Sequence, residues 1–331
     1  MSALAYSREI YDPAYALLER RRGTAGARAA ALRAEMTKKV PRLAEIERQM
    51  AQSASKVVHA ILGGENVDEQ VERIKTENLA LQAEMAKLLR ENGVQADNFE
   101  PQYHCPQCED KGVYDNHHCE CFLSLLRELS CESLSELSGM QTTSFDDLSL
   151  EYYSSQPEAK TGISPRARMR GVIEYCRAYA EGFDGNDDSL LLTGPTGVGK
   201  THLSLAIAGE VLSRGYSVVY GPVQKLLHRL EKEHFGRAEG NSEDVMTDCD
   251  LLILDDVGTE FSSPFYTAAL YNVINERMLS EKPTIISTNL NQKQLTARYG
   301  EQIASRITGT FHPLLCAGKD IRQLKLKKTI E

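Results

Sequence analysis

No run of 18 apolar residues occurs in this 331-residue chain, so the sequence predicts no membrane-spanning helix. The opening, Met-Ser-Ala-Leu-Ala-Tyr-Ser-Arg-Glu-Ile, lacks the charged-then-apolar order of a secretory signal, and a cytoplasmic location is expected. Basic residues are not in excess. The chain has 38 Lys and Arg against 47 Asp and Glu, a net charge of −9, which excludes a protein that holds nucleic acid through its overall field. No internal repeat is visible. The eight cysteines are not spread as in a disulfide framework either. Four crowd into residues 105–121, while Cys131, Cys176, Cys249 and Cys316 are scattered among apolar neighbours, a pattern that favours metal over disulfides.

A hydrophobic content of 41% supports a real core, and the length predicts two domains or three small ones. Charge is uneven: residues 101–150 hold two basic residues, Lys111 and Arg127, and nine acidic ones. The C-terminal tail reverses this with Lys319, Arg322, Lys325, Lys327 and Lys328, a patch suited to phosphate or simply solvated.

The most informative stretch is Leu190 to Thr201. Gly194, four residues, then Gly199-Lys200-Thr201 match the phosphate-loop pattern at every defined position, after an apolar run and before a helical pattern. Backbone N–H groups of Gly194, Thr196, Gly197, Val198 and Gly199 can turn inward around a phosphate, with Pro195 shaping the loop, aided by the positive end of the following helix. Lys200 supplies charge to the outer phosphates, and the Thr201 hydroxyl can ligate magnesium. Leu251 to Asp256 reads as a buried strand delivering two carboxylates to the end where open parallel sheets bind ligands. Asp255 would hold magnesium and Asp256 would orient or deprotonate the attacking water. Thr284 to Asn289 is a second such strand, with Asn289 placed to reach the outer phosphate or the water. Strands are expected near 189–193, 216–220, 250–255, 284–288 and 311–316, alternating with helices.

Cys105 and Cys108, then Cys119 and Cys121 after ten residues, form two ligand pairs. Four thiolates would close a tetrahedral, structural zinc site, with His104, His117 or His118 as substitutes for one cysteine. Upstream, Val67, Val71, Ile74, Asn78, Leu81, Met85 and Leu88 form a heptad seam. Leu43, Ile46, Met50, Val57 and Ile61 form an apolar stripe on a helix over 42–62, and Gly63 to Asn66 separates the two. A helical hairpin is expected, with an intermolecular coiled coil as the alternative. Arg20 to Arg22 mark a third, solvated helix. Val223 to Asp248 reads as one long helical insert carrying Lys225, His228, Arg229, Lys232, His234 and Arg237 among several acids, equally a DNA contact or a solvated helix.

Phosphate loop, Asp-Asp strand and Ser-Thr-Asn strand, in this order, resemble the AAA+ ATPases. Within them the chain is similar to the DnaC/DnaI-type loaders of the bacterial replicative helicase. The resemblance rests on Phe183-Asp184-Gly185-Asn186, Gly199 to Leu203, Arg214 to Val218, Asp255 to Gly258 and the lead-in Thr143 to Leu148. It covers roughly residues 100–331, and the hairpin and cysteine segment resemble the N-terminal region of the Firmicute members. The implied fold is α/β: an AAA+ P-loop ATPase core with a parallel sheet, preceded by an α-helical hairpin and a small zinc-binding segment. The implied division is 1–100 helicase-docking, 101–125 zinc-binding, 126–165 connector and 166–331 ATPase.

The resemblance also implies roles. His202 joins the nucleotide-binding residues, Asn289 matches sensor-1, Arg322 sensor-2, and Arg306 the arginine finger reaching a neighbouring subunit's nucleotide. ATP, Mg²⁺ and Zn²⁺ are the implied cofactors. The replicative hexameric helicase, single-stranded DNA and further copies of the chain are the implied partners. Asp256 stands where many AAA+ proteins carry Glu, which implies a slow, switch-like ATPase. An IstB-type transposition helper and a non-hydrolysing adaptor are the alternatives.

Overall fold

The structure, a computed structural model, describes residues 8–63, 66–136, 143–159 and 161–324. Gly64 and Glu65 of the expected helix break, and Lys325, Lys327 and Lys328 of the basic tail, lie outside them. The chain divides into two compact units, residues 12–123 and, grouped with the stretch before residue 12, residues 124–331. No helix among the described residues is long and apolar enough to cross a membrane.

The first unit is built on α1 (Arg8–Lys39), α2 (Pro41–Gly63) and α3 (Val67–Glu91). α2 packs along α3 as the expected hairpin. Ile74 of the heptad seam is buried and Val67, Val71, Asn78, Leu81, Met85 and Leu88 are half-buried. Met36, Leu43, Leu89 and Phe99 form the cluster that closes the base. The Arg42 guanidinium adds a two-pronged bond to the Glu84 carboxylate, at 2.8 and 3.0 Å, between the helices. Two expectations are corrected. Ile61 is 58% exposed, because the apolar cluster lies at the other end of the hairpin and the buried stripe stops at Val57. The helix around Arg20 to Arg22 is not wholly solvated: Ala14, Leu18, Ala25, Ala29 and Met36 bury one face of it, and small side chains at that spacing give no amphipathic signal. Downstream, β1 (Val113–Tyr114) and β2 (His117–His118) make a short antiparallel hairpin. Asp115 and Asn116 turn it with φ of 49° and 62°, the conformation that tight hairpins require of their central pair.

Helix α4 (Glu120–Glu136) leads into the second unit, which holds α5 (Pro165–Gly182), β3 (Leu190–Thr193), α6 (Lys200–Ser213), β4 (Val218–Pro222), α7 (Val223–His234), α8 (Ser242–Asp248), β5 (Leu251–Val257), α9 (Pro264–Leu279), β6 (Thr284–Thr288), α10 (Gln292–Thr310) and β7 (His312–Leu315). All five expected strands are present. They form one parallel sheet in the order β4-β5-β6-β3-β7. Helices cover both faces, which is why the strands read as unbroken apolar runs rather than alternating ones. Leu190, Leu192, Val218, Tyr220, Leu251 and Ile253 pack toward α5 and α6. Leu191, Val219, Leu252, Leu254 and Ile286 pack toward α7, α8, α9 and α10. The insert expected as one helix is two, α7 and α8, because Gly236 and Gly240 take positive φ between them.

Candidate nucleotide-binding site

The β3–α6 turn lies between β6 and β7 at the C-terminal ends of the strands, with Thr193 in register with Thr288 of β6 and Leu315 of β7. Its glycines are demanded by close neighbours. A Cβ on Gly194 would collide with the carbonyl oxygen of Cys316, and one on Gly197 with the Asp320 carboxylate; their φ values are 147° and 77°. The Ile321 N–H donates to Gly197 O at 2.9 Å, and the buried Tyr153 hydroxyl donates to Val198 O at 2.9 Å. The loop is therefore clamped by residues on both sides of the core in sequence. Lys200 is only 5% exposed, and its ammonium donates to Gly194 O and Pro195 O, both at 2.8 Å. Burial lowers its pKa, and the nearby Asp256 and Asp255 carboxylates oppose that shift.

A cleft of about 340 Å³ opens beside the loop. Thr196, Gly197, Gly199, Lys200, Thr201 and His202 line one side, joined by Asp256 and Arg322; Gly194, Pro195 and Val198 frame the loop without lining the cleft. The opposite wall was not legible in the sequence. It comprises Thr143, Asp147, Leu148, Tyr152 and Tyr153 from the segment before α5, with Leu205 and Ile321. The volume and the apolar-plus-phosphate-loop lining suit a nucleotide.

The two carboxylates of β5 occupy different places. Asp255 alternates with Leu251 and Ile253 and is 2% exposed, accepting from Tyr220 Oη at 3.1 Å and Ser287 Oγ at 2.5 Å. Simple alternation would send Asp256 to the far face. Instead, Asp255 and Asp256 of β5 stand against the single Ser287 of β6, between the pairs Leu254–Ile286 and Val257–Thr288, and Asp256 has φ of 55°. This bulge turns the Asp256 side chain to the cleft and returns Val257 to the face of Leu252 and Leu254. Desolvation first, then the Asp255 charge, raises the Asp256 pKa.

Asn289 follows β6 and is exposed, outside the cleft lining. Arg306, on α10, stands with its guanidinium carbon 4.9 Å from the centre of the Tyr271 ring and also lies off the cleft. In α7, Arg229 is committed to Glu233 at 2.5 Å and to Glu239 O at 2.7 Å, while Lys225 and Lys232, and Arg237 just after the helix, are exposed.

In the first unit, the sulfurs of Cys105, Cys108, Cys119 and Cys121 all lie within 4.8 Å of one another. Cys105 and Cys119 are 3.8 Å apart and Cys108 and Cys121 are 3.4 Å apart. A tetrahedral ion about 2.3 Å from each sulfur sets them about 3.8 Å apart, so the donor set fits zinc. The Asp110 carboxylate, 2% exposed, fixes the first knuckle by accepting from His104 N and Cys105 N, both at 2.9 Å. The Cys108 backbone N–H draws the Cys105 thiol down to about 7. His104, His117 and His118 are exposed and outside the sulfur cluster.

Residues 179–312 match the model of the IstB-like ATP binding protein family. The replicative helicase loader DnaC of Escherichia coli K12 is 33% identical over 139 residues, 41% of this chain and 56% of that protein. A protein named as ATP-binding in an insertion sequence of Mycobacterium tuberculosis is 29% identical over 143 residues, 42% of this chain and 57% of that one. The chain spans about half the length of the curated relatives it matches. Among solved structures, the DnaC helicase loader is similar at TM-score 0.42 and 23% identity, over 52% of this chain and 97% of that one. DnaI is similar at TM-score 0.44 and 23% identity, over 54% and 89%. With a complete phosphate loop, a buried strand-end aspartate and a matching family model over the same residues, the second unit carries an IstB/DnaC-like ATP-binding domain.

Proposed function

We propose that this chain is an ATP-dependent loader that places the replicative hexameric DNA helicase on single-stranded DNA in the cytoplasm. The observation that carries the proposal is the 33% identity over 139 residues to the replicative helicase loader DnaC. Lys200 and the loop N–H groups bind the triphosphate, while Leu148, Tyr152 and Leu205 give the base an apolar wall. Thr201 and Asp255 hold Mg²⁺, which supplies charge neutralisation at the phosphates. Asp256, its pKa raised, accepts a proton from the attacking water or orients it. Arg322 meets the phosphates from the same chain, and Asn289 serves as the polar sensor.

Because Arg306 stands off its own cleft, it acts on a neighbouring copy. Arg306→Ala is expected to leave ATP affinity within about twofold and to lower stimulated hydrolysis about 10³-fold. Normal stimulated turnover in that variant refutes the role. Turnover without a partner is slow and switch-like, in keeping with the shorter Asp256 carboxylate. Lys225, Lys232 and Arg237 follow a DNA backbone, with affinity that falls steeply with salt.

The cysteine cluster holds one structural zinc. Metal analysis of the purified chain is expected to find one equivalent. Its removal by chelator is expected to unfold the segment around β1 and β2, because structural zinc contributes about 10 kcal/mol or more to modules of this kind. Absence of metal after purification without chelator overturns this assignment.

The deciding experiment is co-purification with the host replicative helicase, with and without ATP. Nucleotide-dependent capture is expected. A second reading, an IstB-type transposition helper, is favoured by the family model and by the insertion-sequence relative. Capture of a transposase and not the helicase selects it. Capture of helicase with no ATP turnover, even with single-stranded DNA, selects a non-hydrolysing adaptor.

A further inference from the structure

The buried Asp255 is held from two sides. Ser287, on the adjoining strand β6, donates to Oδ1 and accepts the Asp256 N–H at 2.9 Å, so its hydroxyl belongs to the bulge itself. Tyr220 approaches from the edge strand β4, where it pairs in register with Ile253, and its hydroxyl donates to Asp255 Oδ2 at 3.1 Å. The Tyr220 ring is 4% exposed, packed in the layer under α5 and α6, so water does not compete for that bond. The backbone of Tyr220 is not left open at the sheet edge. Ser135, buried in the last turn of α4, accepts the Tyr220 N–H at 3.2 Å and donates to Val218 O at 3.4 Å. One serine hydroxyl thus stands in for a further strand at the two edge groups flanking Val219.

We propose that Tyr220 is a positioning residue for Asp255, and that Ser135 makes this positioning depend on the seating of α4. The proposal rests on the ATPase reading of the cleft. A carboxylate can turn about its own Cβ–Cγ bond, and with Ser287 alone it has one fixed oxygen. The second donor, from a strand on the other side of β5, fixes the plane of the group. Partners of this kind around a metal-ligating carboxylate change metal affinity or activity about 10- to 100-fold when removed. α4 lies outside the sheet; Cys131 packs in the same core cluster as Val219, and Ser135 in the last turn bonds the edge strand directly, so a shift of α4 is transmitted to the hydroxyl through the Tyr220 backbone. The requirement for divalent cation, rather than nucleotide affinity itself, is the quantity this contact governs.

Tyr220→Phe removes the hydroxyl and keeps the ring in the core. The test measures the Mg²⁺ concentration for half-maximal ATP turnover, and the affinity for a fluorescent ATP analogue in Mg²⁺ and in EDTA. Tyr220→Phe is expected to need about tenfold more Mg²⁺. It is expected to lose most of the affinity that Mg²⁺ adds, and to match the natural protein in EDTA, which also reports an intact fold. Ser135→Ala is expected to shift the Mg²⁺ requirement in the same direction by about threefold, the scale of one hydrogen bond. An unchanged Mg²⁺ requirement in Tyr220→Phe overturns the positioning role. A shift in Tyr220→Phe with none in Ser135→Ala overturns the dependence on α4. If the natural protein binds no nucleotide in either condition, the ATPase reading itself has failed.

Discussion

Replacing Lys200 by alanine is expected to lower ATP turnover by about 10²- to 10³-fold, the scale on which loss of one preorganised donor to a developing charge acts. The structure explains why no neighbour substitutes. The Lys200 ammonium is nearly excluded from water and is aimed over the loop by Gly194 O and Pro195 O. Arg322, the other cation in the cleft lining, reaches it from the far side of the loop through the C-terminal segment. The fold should survive, because Gly194 is half-buried and Pro195 exposed, so water can replace the ammonium at the two carbonyls it holds. Circular dichroism and thermal unfolding close to the natural protein, with no measurable nucleotide uptake by calorimetry, are the expected pair of results. Turnover within about threefold of the natural protein removes the phosphate-binding role. Lys200→Arg is expected to fail as well, since a planar fork cannot occupy the place of a compact ammonium. The direction of the pKa shift adds a pH dependence. A lysine held below its ordinary value loses its charge at a less alkaline pH than an exposed lysine, so ATP affinity should begin to fall earlier on raising the pH. The bound polyanion, favouring the charged form, moves that fall back upward.

The parts of this molecule written in local sequence were legible, and those made by the meeting of distant segments were not. β3 and β5 are apolar runs closed by glycine or acid, and β6 holds Ile285 and Ile286 between small hydroxyl residues before Asn289; all three lie within about two residues of the expected places, because strands covered on both faces are rich in apolar residues. The hairpin of α2 and α3 followed from its seven-residue spacing. The cleft wall was hidden because Thr143 to Leu148 reads only as a lead-in to the core and Tyr152 carries no motif; their place beside the loop exists only because the segment before α5 returns over it, where Tyr153 bonds to Val198. Asp256 follows Asp255 in sequence, and strict alternation would send it to the opposite face of the sheet, away from the cleft it lines. A bulge needs no special residue type, so nothing in Leu-Asp-Asp-Val announces it. Tyr220 likewise reads as an ordinary strand aromatic until its hydroxyl is seen on Asp255.

Arg277→Ala should be the most destabilising single change in the second unit, by about 4 kcal/mol. In sequence Arg277 is an arginine in the last turn of a helix, where a solvated cation facing the helix dipole is the ordinary expectation. In the structure it is 0% exposed, and no carboxylate among the described residues forms an ion pair with it. Its guanidinium instead donates to backbone carbonyls: Nη1 to Met246, Thr247 and Cys249 at 2.9, 3.1 and 2.8 Å, and Nη2 to Asp250 and Pro283 at 3.3 and 2.6 Å. Nε donates to Thr284 Oγ1 at 2.9 Å. These acceptors end α8 and begin β5 and β6, so one side chain satisfies the orphan carbonyls of a helix end and ties two strands to it. Alanine leaves those oxygens facing a buried hole with no donor, at about 1–3 kcal/mol for each that water cannot reach. Thermal unfolding should fall by about 10 °C for a unit of this size. Arg277→Lys should recover only part of the loss, because three donors on one point cannot serve acceptors spread over three elements. A loss below about 1 kcal/mol would show that water solvates the site and that the clamp contributes little. The clamp lies at the N-terminal ends of β5 and β6, whereas Asp255, Asp256 and Lys200 gather at the C-terminal ends. Nucleotide affinity of the folded fraction at low temperature should therefore be unchanged, which separates this arginine from Lys200: one holds the sheet at its closed end, the other works at its open one.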